Sequence, residues 1–383
     1  MKNDDRWFVR QFNRKAQARW LLLGLVFQTG GILSPGLVMA QDLPGVEAAA
    51  EEAEEAEEAD GAKADQANEA KDGEAKSADE PPQTPQAGEV GPQIVYENSV
   101  DTRWKVGAKI RTGAGRATNV FMTFPVPANW PEQTVTIIEQ DIPADIGNVT
   151  SRKLSSGVEQ VLVQFPVLPA NDVVEISYTL DIVNRALVAP KETNLFVLPR
   201  HTKKEVKPFL AASKNVNHQN GKLRKKAREI IAGHESAWDQ TEAIYDWVRT
   251  NIQVEATAYH SAQHTLKNLS GTNEDKTFLF VALCRSVKIP SRIVFAKGAS
   301  YAEFMLAGPD GKTLHWFPCD VSGIREFGGL SEPRVILQKG DGIKVPEKKH
   351  AQKYVAEFMS CKGNVKPRVG FFRAEIFDDK PGK

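Results

Sequence analysis

Apolar and polar residues alternate along residues 93–188, which is the pattern of half-buried β-strands. Five stretches there are rich in β-branched and aromatic residues, and Asn, Gly and Pro separate them. On the first stretch, alternation places Trp104, Val106 and Ala108 on one face. The pattern predicts a small antiparallel β-sandwich over residues 93–188.

Helical spacing replaces this alternation between residues 189 and 270. Ile244, Trp247 and Val248 recur at the spacing of one helix face, and the stretch at residues 222–232 has a similar pattern. The segment therefore predicts helices that lead into the next part of the chain.

Two histidines, His260 and His264, are four residues apart, so on a helix they would face the same way. The HxxxH spacing here lacks the glutamate of a zincin and a third ligand. We therefore interpret them as surface or capping histidines and predict no metal site.

A helix followed by antiparallel strands is predicted from residue 271 onwards. An apolar helical run from Phe278 to Val287 must end before Pro290. Strands are predicted at residues 292–296, 301–306 and 315–321. In a cysteine-nucleophile cleft, a thiol at a helix N-terminus is acidified by the helix dipole, and an imidazole on the next strand takes its proton. A carboxylate on a further strand orients that imidazole.

The motif residues of this segment resemble the core of the transglutaminase-like superfamily in its bacterial, papain-fold form. That family's pattern runs G-x-C-x-D, an apolar helix, R-x-x-G-I-P-x-R, H-x-W/Y-x-E and W-x-P-x-D. The matching residues here are Gly271, Asp275, Arg285, Ile289, Pro290, Arg292, Tyr301, Glu303, Trp316, Pro318 and Asp320. The resemblance implies an α+β fold: a papain-like core of helices packed on an antiparallel sheet, preceded by an all-β sandwich.

The same alignment of motifs indicates a degenerate catalytic triad. Asn273 stands where the family has its nucleophilic cysteine, and Ala299 stands where it has its histidine. Only Asp320, the third member, matches. Asparagine is an ordinary residue at a helix start and offers no nucleophile. We therefore expect no active catalytic residue, and a cleft lined by Asp275, Tyr301, Glu303 and Trp316.

Other residues are poor substitutes for the missing groups. Cys284 lies on the helix about 16 Å beyond Asn273 and has apolar neighbours, as core thiols do. Cys319 adjoins Asp320 on a strand, so the two side chains should point to opposite faces. His315 is the best substitute imidazole, but no thiol or serine beside it could be activated.

The C-terminal part of the second domain, which spans residues 189–383, reads as an extension of the core. We predict a strand at Val335–Leu337, a short helix at Lys349–Phe358 and a strand at Val369–Phe372 that closes the sheet of this domain. The chain has three cysteines, Cys361 being the third, and the sequence leaves open one disulfide plus a thiol or three thiols.

Residues 1–40 have the pattern of an export signal. Basic residues precede the apolar run at residues 20–27, and Val38–Ala40 resembles a signal-peptidase site. The apolar run is shorter than the roughly 20 residues that span a bilayer, so cleavage after Ala40 is favoured over a retained membrane anchor. We expect an exported protein, periplasmic or extracellular, with membrane contact only through an uncleaved leader.

Residues 41–92 form a predicted acidic, disordered linker, because they contain no aromatic residue and few large aliphatic ones. An acidic interaction tail is the alternative. The zero net charge of the 383-residue chain divides into about +4 for the leader, about −13 for the linker and about +9 for the rest. No nucleic-acid motif accompanies the basic part, so no nucleic-acid partner is expected.

Three functional hypotheses follow. The first is a non-catalytic binding or scaffolding module, with a protein or peptide ligand in the degenerate cleft and no cofactor. The second is an active cysteine-type transglutaminase or peptidase that uses a displaced nucleophile. The third is a structural protein of the cell envelope that uses the acidic segment as a tether.

Overall fold

The computed structural model describes residues 93–377, except residue 145, residues 201–202 and residues 364–365. The predicted leader and the predicted acidic linker lie outside these described residues. Within them, no helix combines the length and the apolar character needed to cross a bilayer.

The strands and helices follow in chain order. The strands are β1 (Val95–Arg111), β2 (Ala117–Val126), β3 (Gln133–Asp141), β4 (Asn148–Lys153), β5 (Glu159–Leu168), β6 (Val173–Val188), β7 (Gln253–Val254), β8 (Ser270–Gly271), β9 (Ser291–Ala296), β10 (Ala299–Ala307), β11 (Leu314–Asp320), β12 (Glu326–Phe327), β13 (Ile336–Lys339), β14 (Phe358–Lys362) and β15 (Arg368–Ile376). The helices are α1 (Gly221–Ile231), α2 (Ala237–Asn251), α3 (Ala262–Asn268) and α4 (Asn273–Ser286).

Two four-stranded antiparallel sheets form a β-sandwich. The strand orders are β15-β1-β6-β3 and β14-β2-β5-β4. Trp104 and Val106 of the first sheet share one apolar core with Val163 and Phe165 of the second. On β1 the alternate residues Trp104, Val106, Ala108 and Ile110 are buried, as the sequence pattern requires. The predicted all-β sandwich is therefore confirmed.

The last two strands of the chain also belong to this sandwich. β15 pairs with β1 from Arg103 opposite Ile376 to Arg111 opposite Arg368, and β14 pairs with β2. The prediction that Val369–Phe372 closes the sheet of the second domain is therefore wrong. These residues cover an edge of the sandwich instead, which would otherwise expose unpaired backbone groups.

Helix α4 lies at the centre of the second half of the structure. Every residue from Asp275 to Arg285 is buried, which is typical of a helix packed on all sides. The antiparallel sheet β12-β11-β10-β9-β13 covers it. Alternate sheet residues such as Phe304 and Phe317 share a core with Phe280 of the helix. The α+β fold with helices packed on an antiparallel sheet is thus as predicted.

The ends of α4 have local causes. Thr272 caps the N-terminus and forms a capping box with Asp275, so the helix begins at Asn273, ahead of its apolar run. Beyond the C-terminus, Lys288 adopts a left-handed conformation with φ of 70°, and Pro290 follows. A residue before proline disfavours helical geometry, so the helix cannot continue.

The prediction of a short helix after β13 is corrected. No helix forms at Lys349–Phe358. The Gln338 side chain instead donates to the Lys353 carbonyl and accepts from the Val355 amide, both at 2.8 Å, so these peptide groups are satisfied without helical bonds. Helix α3 begins after His260, so His260 and His264 do not share a helix.

Candidate functional site

The start of α4 is held by the carboxylate of Asp275. It accepts hydrogen bonds from the amide and hydroxyl of Thr272 at 3.1 and 2.8 Å, and from the amides of Tyr259 and His260 at 3.0 and 2.7 Å. The carboxylate is fully buried. Asp275 thus ties the preceding loop to the helix, and its oxygens are occupied by the chain itself.

Asn273 is the first residue of α4 and is exposed to solvent. Its carbonyl accepts a hydrogen bond of 2.9 Å from the Thr277 hydroxyl, one turn further along. Its position agrees with the predicted place of the nucleophile at the helix entrance. Its side chain is an amide, which the helix dipole cannot convert into a nucleophile.

Ala299 is the first residue of β10 and is also exposed. It pairs with Ala296 of β9 at the hairpin that joins the two strands. Strand alternation places it on the same face as Tyr301 and Glu303. Its methyl group can neither accept nor donate a proton.

Asp320 is the last residue of β11, and both of its carboxylate oxygens have partners. Oδ1 accepts from the amide of Ser322 at 2.9 Å and from its hydroxyl at 2.5 Å. Oδ2 forms an ion pair of 2.6 Å with Nη1 of Arg334. The other Nη atom of Arg334 contacts Glu326 at 3.0 Å. Burial alone would lower the pKa of Arg334, but the Asp320 hydrogen bond and the charges of Asp320 and Glu326 raise it.

A lysine connects the first turns of α4 with Asp320. Lys276 is buried, and its burial and the positive charge of Arg249 lower its pKa, whereas the Asp320 carboxylate acts in the opposite direction. The helix entrance and the end of β11 therefore interact through their charges. Arg334 occupies the positive role that an imidazolium would have beside Asp320.

The residues predicted to line the cleft do not share one wall. Asp275 caps the helix, whereas Tyr301 is buried among apolar side chains on the face of the sheet opposite α4. Glu303 and Trp316 lie on that same opposite face and meet at Arg292. Arg292 donates to Glu303 at 2.6 Å and stacks on the Trp316 ring, with 3.8 Å from the guanidinium carbon to the ring centroid.

Glu303 is a buried carboxylate between two cations. Lys339 contacts it at 2.6 Å on the side opposite Arg292. Burial alone would raise the pKa of Glu303, but Arg292 and Lys339 together lower it below its usual range. The carboxyl group is therefore ionised at neutral pH. It binds the two cations and does not act as a proton donor.

The cysteines offer no thiol at the helix entrance. Cys284 and Cys319 are fully buried, and burial raises the pKa of both thiols. Cys361 lies on β14, in the sandwich.

His315 is half-buried against the Phe196 ring, and burial lowers its pKa. In the described part of the chain, no cluster of three or more His, Cys, Asp and Glu residues could hold a metal ion.

Sequence reasoning missed the partners of these motif carboxylates. Arg334 and Lys339 lie beyond the motifs, one just before β13 and one at its end. Their signal in the sequence is faint: single cations beside a short apolar run. A cation near a predicted buried strand requires a buried anion, and that requirement is the clue to Asp320 and Glu303.

Comparison with known proteins agrees with this description. Residues 224–321 match the family model described as transglutaminase-like superfamily, so this part of the chain is a transglutaminase-like domain. The matched range contains α4 and the strands β9 to β11. No curated protein matches the chain by sequence.

Two solved structures are similar. One is described as a "Putative Cysteine Protease" from Cytophaga hutchinsonii, with 19% identity, a TM-score of 0.49, and coverage of 75% of this chain and 94% of that one. The other is a "Putative Protease" from Parabacteroides distasonis, with 12% identity, a TM-score of 0.23, and coverage of 61% and 48%.

Proposed function

We propose that the protein is a non-catalytic member of the transglutaminase-like class that acts as a binding or scaffolding module. The observation that carries this proposal is the pairing of Asp320 with Arg334 and Ser322. In a working triad that carboxylate accepts from an imidazole. Here its oxygens are already used, and neither Asn273 nor Ala299 supplies a thiol or an imidazole.

Acyl transfer needs a nucleophile that can become anionic beside a base. The buried thiols fail this requirement, because their raised pKa values disfavour the thiolate. His315 packs against aromatic rings and away from a hydroxyl or thiol partner among the described residues. These features support a role in binding a protein or peptide rather than in cleaving one.

The location belongs to the same proposal. The basic, apolar and small-residue sequence of residues 1–40 supports export to the periplasm or the extracellular space, with cleavage after Ala40. Mass spectrometry of the native protein tests it. A mature N-terminus at Gln41 is expected, and a chain that still begins at Met1 would contradict cleavage.

The absence of catalysis is tested on the unmodified protein with thioester and aryl-amide acyl donors, followed by intact-mass analysis. We expect no covalent acyl adduct and no amine-dependent release of product. Three variants, each with one cysteine changed to serine, are the controls. An acyl adduct that disappears with one of these changes would overturn the proposal and favour an enzyme with a displaced nucleophile.

A further inference from the structure

A cavity of about 340 Å³ lies between the β-sandwich and the face of the core sheet opposite α4. The sandwich side contributes Tyr96 and Glu132, and the core side contributes Arg292, Trp316 and Lys339. Its size falls in the usual range for small-molecule sites, which favour boundaries between structural layers. It is separate from the triad positions, so the inference does not depend on whether the protein is catalytic.

The polar wall of the cavity carries two positive and two negative side chains in an alternating chain. Arg292 contacts Glu303 at 2.6 Å, Glu303 contacts Lys339 at 2.6 Å, and Lys339 contacts Glu132. The Arg292, Glu303 and Lys339 side chains are 7%, 2% and 1% exposed, and Glu132 is 16% exposed. The wall is thus desolvated, and the formal charges of its two cations and two carboxylates balance.

The side chains at the two ends of this row of ion pairs, Arg292 and Glu132, each keep one polar atom without a side-chain partner in the described part of the protein. Arg292 bonds Glu303 through Nε and Nη2, and no acceptor in the described part of the chain bonds its Nη1. Glu132 bonds Lys339 through Oε1, and no side chain of the described part donates to its Oε2. Tyr96 lines the same cavity as Glu132 and Glu303. Burial raises the pKa of Tyr96 to about 12, and the charges of these two carboxylates add to this effect.

Apart from His315, the rest of the lining is mainly apolar. Ile94 and Leu187 come from the sandwich side, and Leu314 and Pro318 from the core side. An apolar ligand group can replace water against these side chains, which is favourable. The cavity therefore combines an apolar wall with a wall of paired charges.

A balanced set of buried charges selects against a ligand with net charge. An anion would be attracted by Arg292 but repelled by Glu303 and Glu132, and a cation would meet the reverse. A molecule that carries both charges can pair each with its opposite while the site stays neutral. We propose that the cavity binds a small zwitterion with an apolar side chain: a free α-amino acid or a short peptide with both ends charged.

In this arrangement the ligand's carboxylate lies against Nη1 of Arg292. Its ammonium group lies against Oε2 of Glu132 and the Tyr96 hydroxyl. The ammonium gives Glu132 a second cation, since that carboxylate now shares Lys339 with Glu303. Charge-assisted bonds of this type are roughly twice as strong as neutral ones, so both ends of the ligand are recognised.

The first test uses the unmodified protein and calorimetric titration with L-leucine, L-leucyl-L-leucine, N-acetyl-L-leucine and L-leucinamide. We expect at least one zwitterion to bind, and both singly charged analogues to bind at least about tenfold more weakly, which is about 1.4 kcal/mol. Tighter binding of leucine indicates a free amino acid as ligand, and tighter binding of the dipeptide indicates a peptide. Absence of binding by both zwitterions, or equal binding of a blocked analogue, overturns the proposal.

The second test changes the mouth of the cavity. Glu132→Gln should weaken zwitterion binding by about tenfold, because the amide removes the charge that pairs with the ammonium. Glu97→Gln is the matched control, since Glu97 is exposed on the same strand as Tyr96 and does not line the cavity. Unchanged affinity in Glu132→Gln contradicts the site. If that variant fails to fold, the comparison of blocked and free ligands on the unmodified protein decides alone.

Discussion

Nη1 of Arg334 lies 2.6 Å from Oδ2 of Asp320, the residue that the motif resemblance aligns with the triad carboxylate of the family. The same guanidinium reaches Glu326, so one cation neutralises two buried carboxylates. The carboxylate that would orient a catalytic imidazole is therefore part of a structural ion-pair network. Under the proposed function, this relationship gives Asp320 a structural role that needs neither a thiol nor an imidazole beside it.

Removal of Arg334 should strongly destabilise the fold. Arg334→Ala leaves Asp320 and Glu326 without their cation, and breaking a buried pair costs about 3 kcal/mol. Arg325→Ala is the control: its ion pairs with Glu242 and Asp246 are exposed, so less than about 1 kcal/mol is expected. Urea unfolding measures both. An equal loss of unfolding free energy in the two variants would contradict a structural role for the Arg334–Asp320 ion pair.

Asp275 should be a stability residue. Asp275→Ala removes the acceptor of the Tyr259 and His260 amides as well as half of the capping box, so we expect a loss of about 3 kcal/mol. Asp239 is an exposed acid in the first turn of α2, and Asp239→Ala should cost less than about 1 kcal/mol. Chemical denaturation compares them. A loss in Asp275→Ala no larger than that in the control would refute this assignment.

The free energy of unfolding should decrease as the pH falls below 7, because His218 becomes protonated more readily in the unfolded protein. Burial lowers its pKa, and the positive charges of Arg285, Lys288 and Arg224 lower it further. The unfolded histidine then binds a proton more readily than the folded one. The contribution of His218 to the free energy of unfolding is complete above the pKa of the unfolded histidine, about 6.5. It is lost as the pH falls through the lower pKa of the folded histidine.

The measurement is the unfolding free energy between pH 5 and pH 8. His218→Gln should flatten its dependence on pH relative to the unmodified protein, with the His315 contribution of the same sign left in place. His264→Gln, at an exposed helix position, is the control. An unchanged slope in His218→Gln would show that the histidine does not sense the cations around it.

Cys284 and Cys319 should react with a thiol reagent only when the protein opens. Both side chains are fully buried in the α4 core. In a Cys361→Ser background, Ellman's reagent should modify them at least about 1,000-fold more slowly in the folded than in the urea-unfolded protein, because reaction requires opening of the core. Rapid modification of either residue in the folded state would contradict their placement in the core.

Much of the fold was predictable because the decisive patterns are local. Helix α4 and the strands β9 to β11 lie within fewer than 50 consecutive residues, and their order along the chain is their order in the sheet. The two corrected elements depend on distant partners. β15 belongs beside β1, and the stretch around Val355 follows the Gln338 side chain rather than its own helical pattern.

The positions of the candidate site could be predicted from the sequence motifs, but the ion pairs and the cavity that these residues form could not. The sequence pointed to Asn273, Ala299 and Asp320, but it gave only a faint sign that Arg334 pairs with Asp320. Glu303 and Trp316 match family motifs, yet their cavity exists only because the sandwich lies against that face of the sheet. Contacts between layers of this kind are set by tertiary packing, which a periodic pattern does not record.

The placement of β14 and β15 has a consequence for the order of folding. A sandwich that needs residues up to Ile376 cannot complete its edges until those residues have left the ribosome, although the contiguous core around α4 can already form. Until β14 and β15 are in place, β1 and β2 each carry an open edge that invites pairing with another chain. Loss of β15 should therefore leave the edge of β1 unpaired and promote self-association.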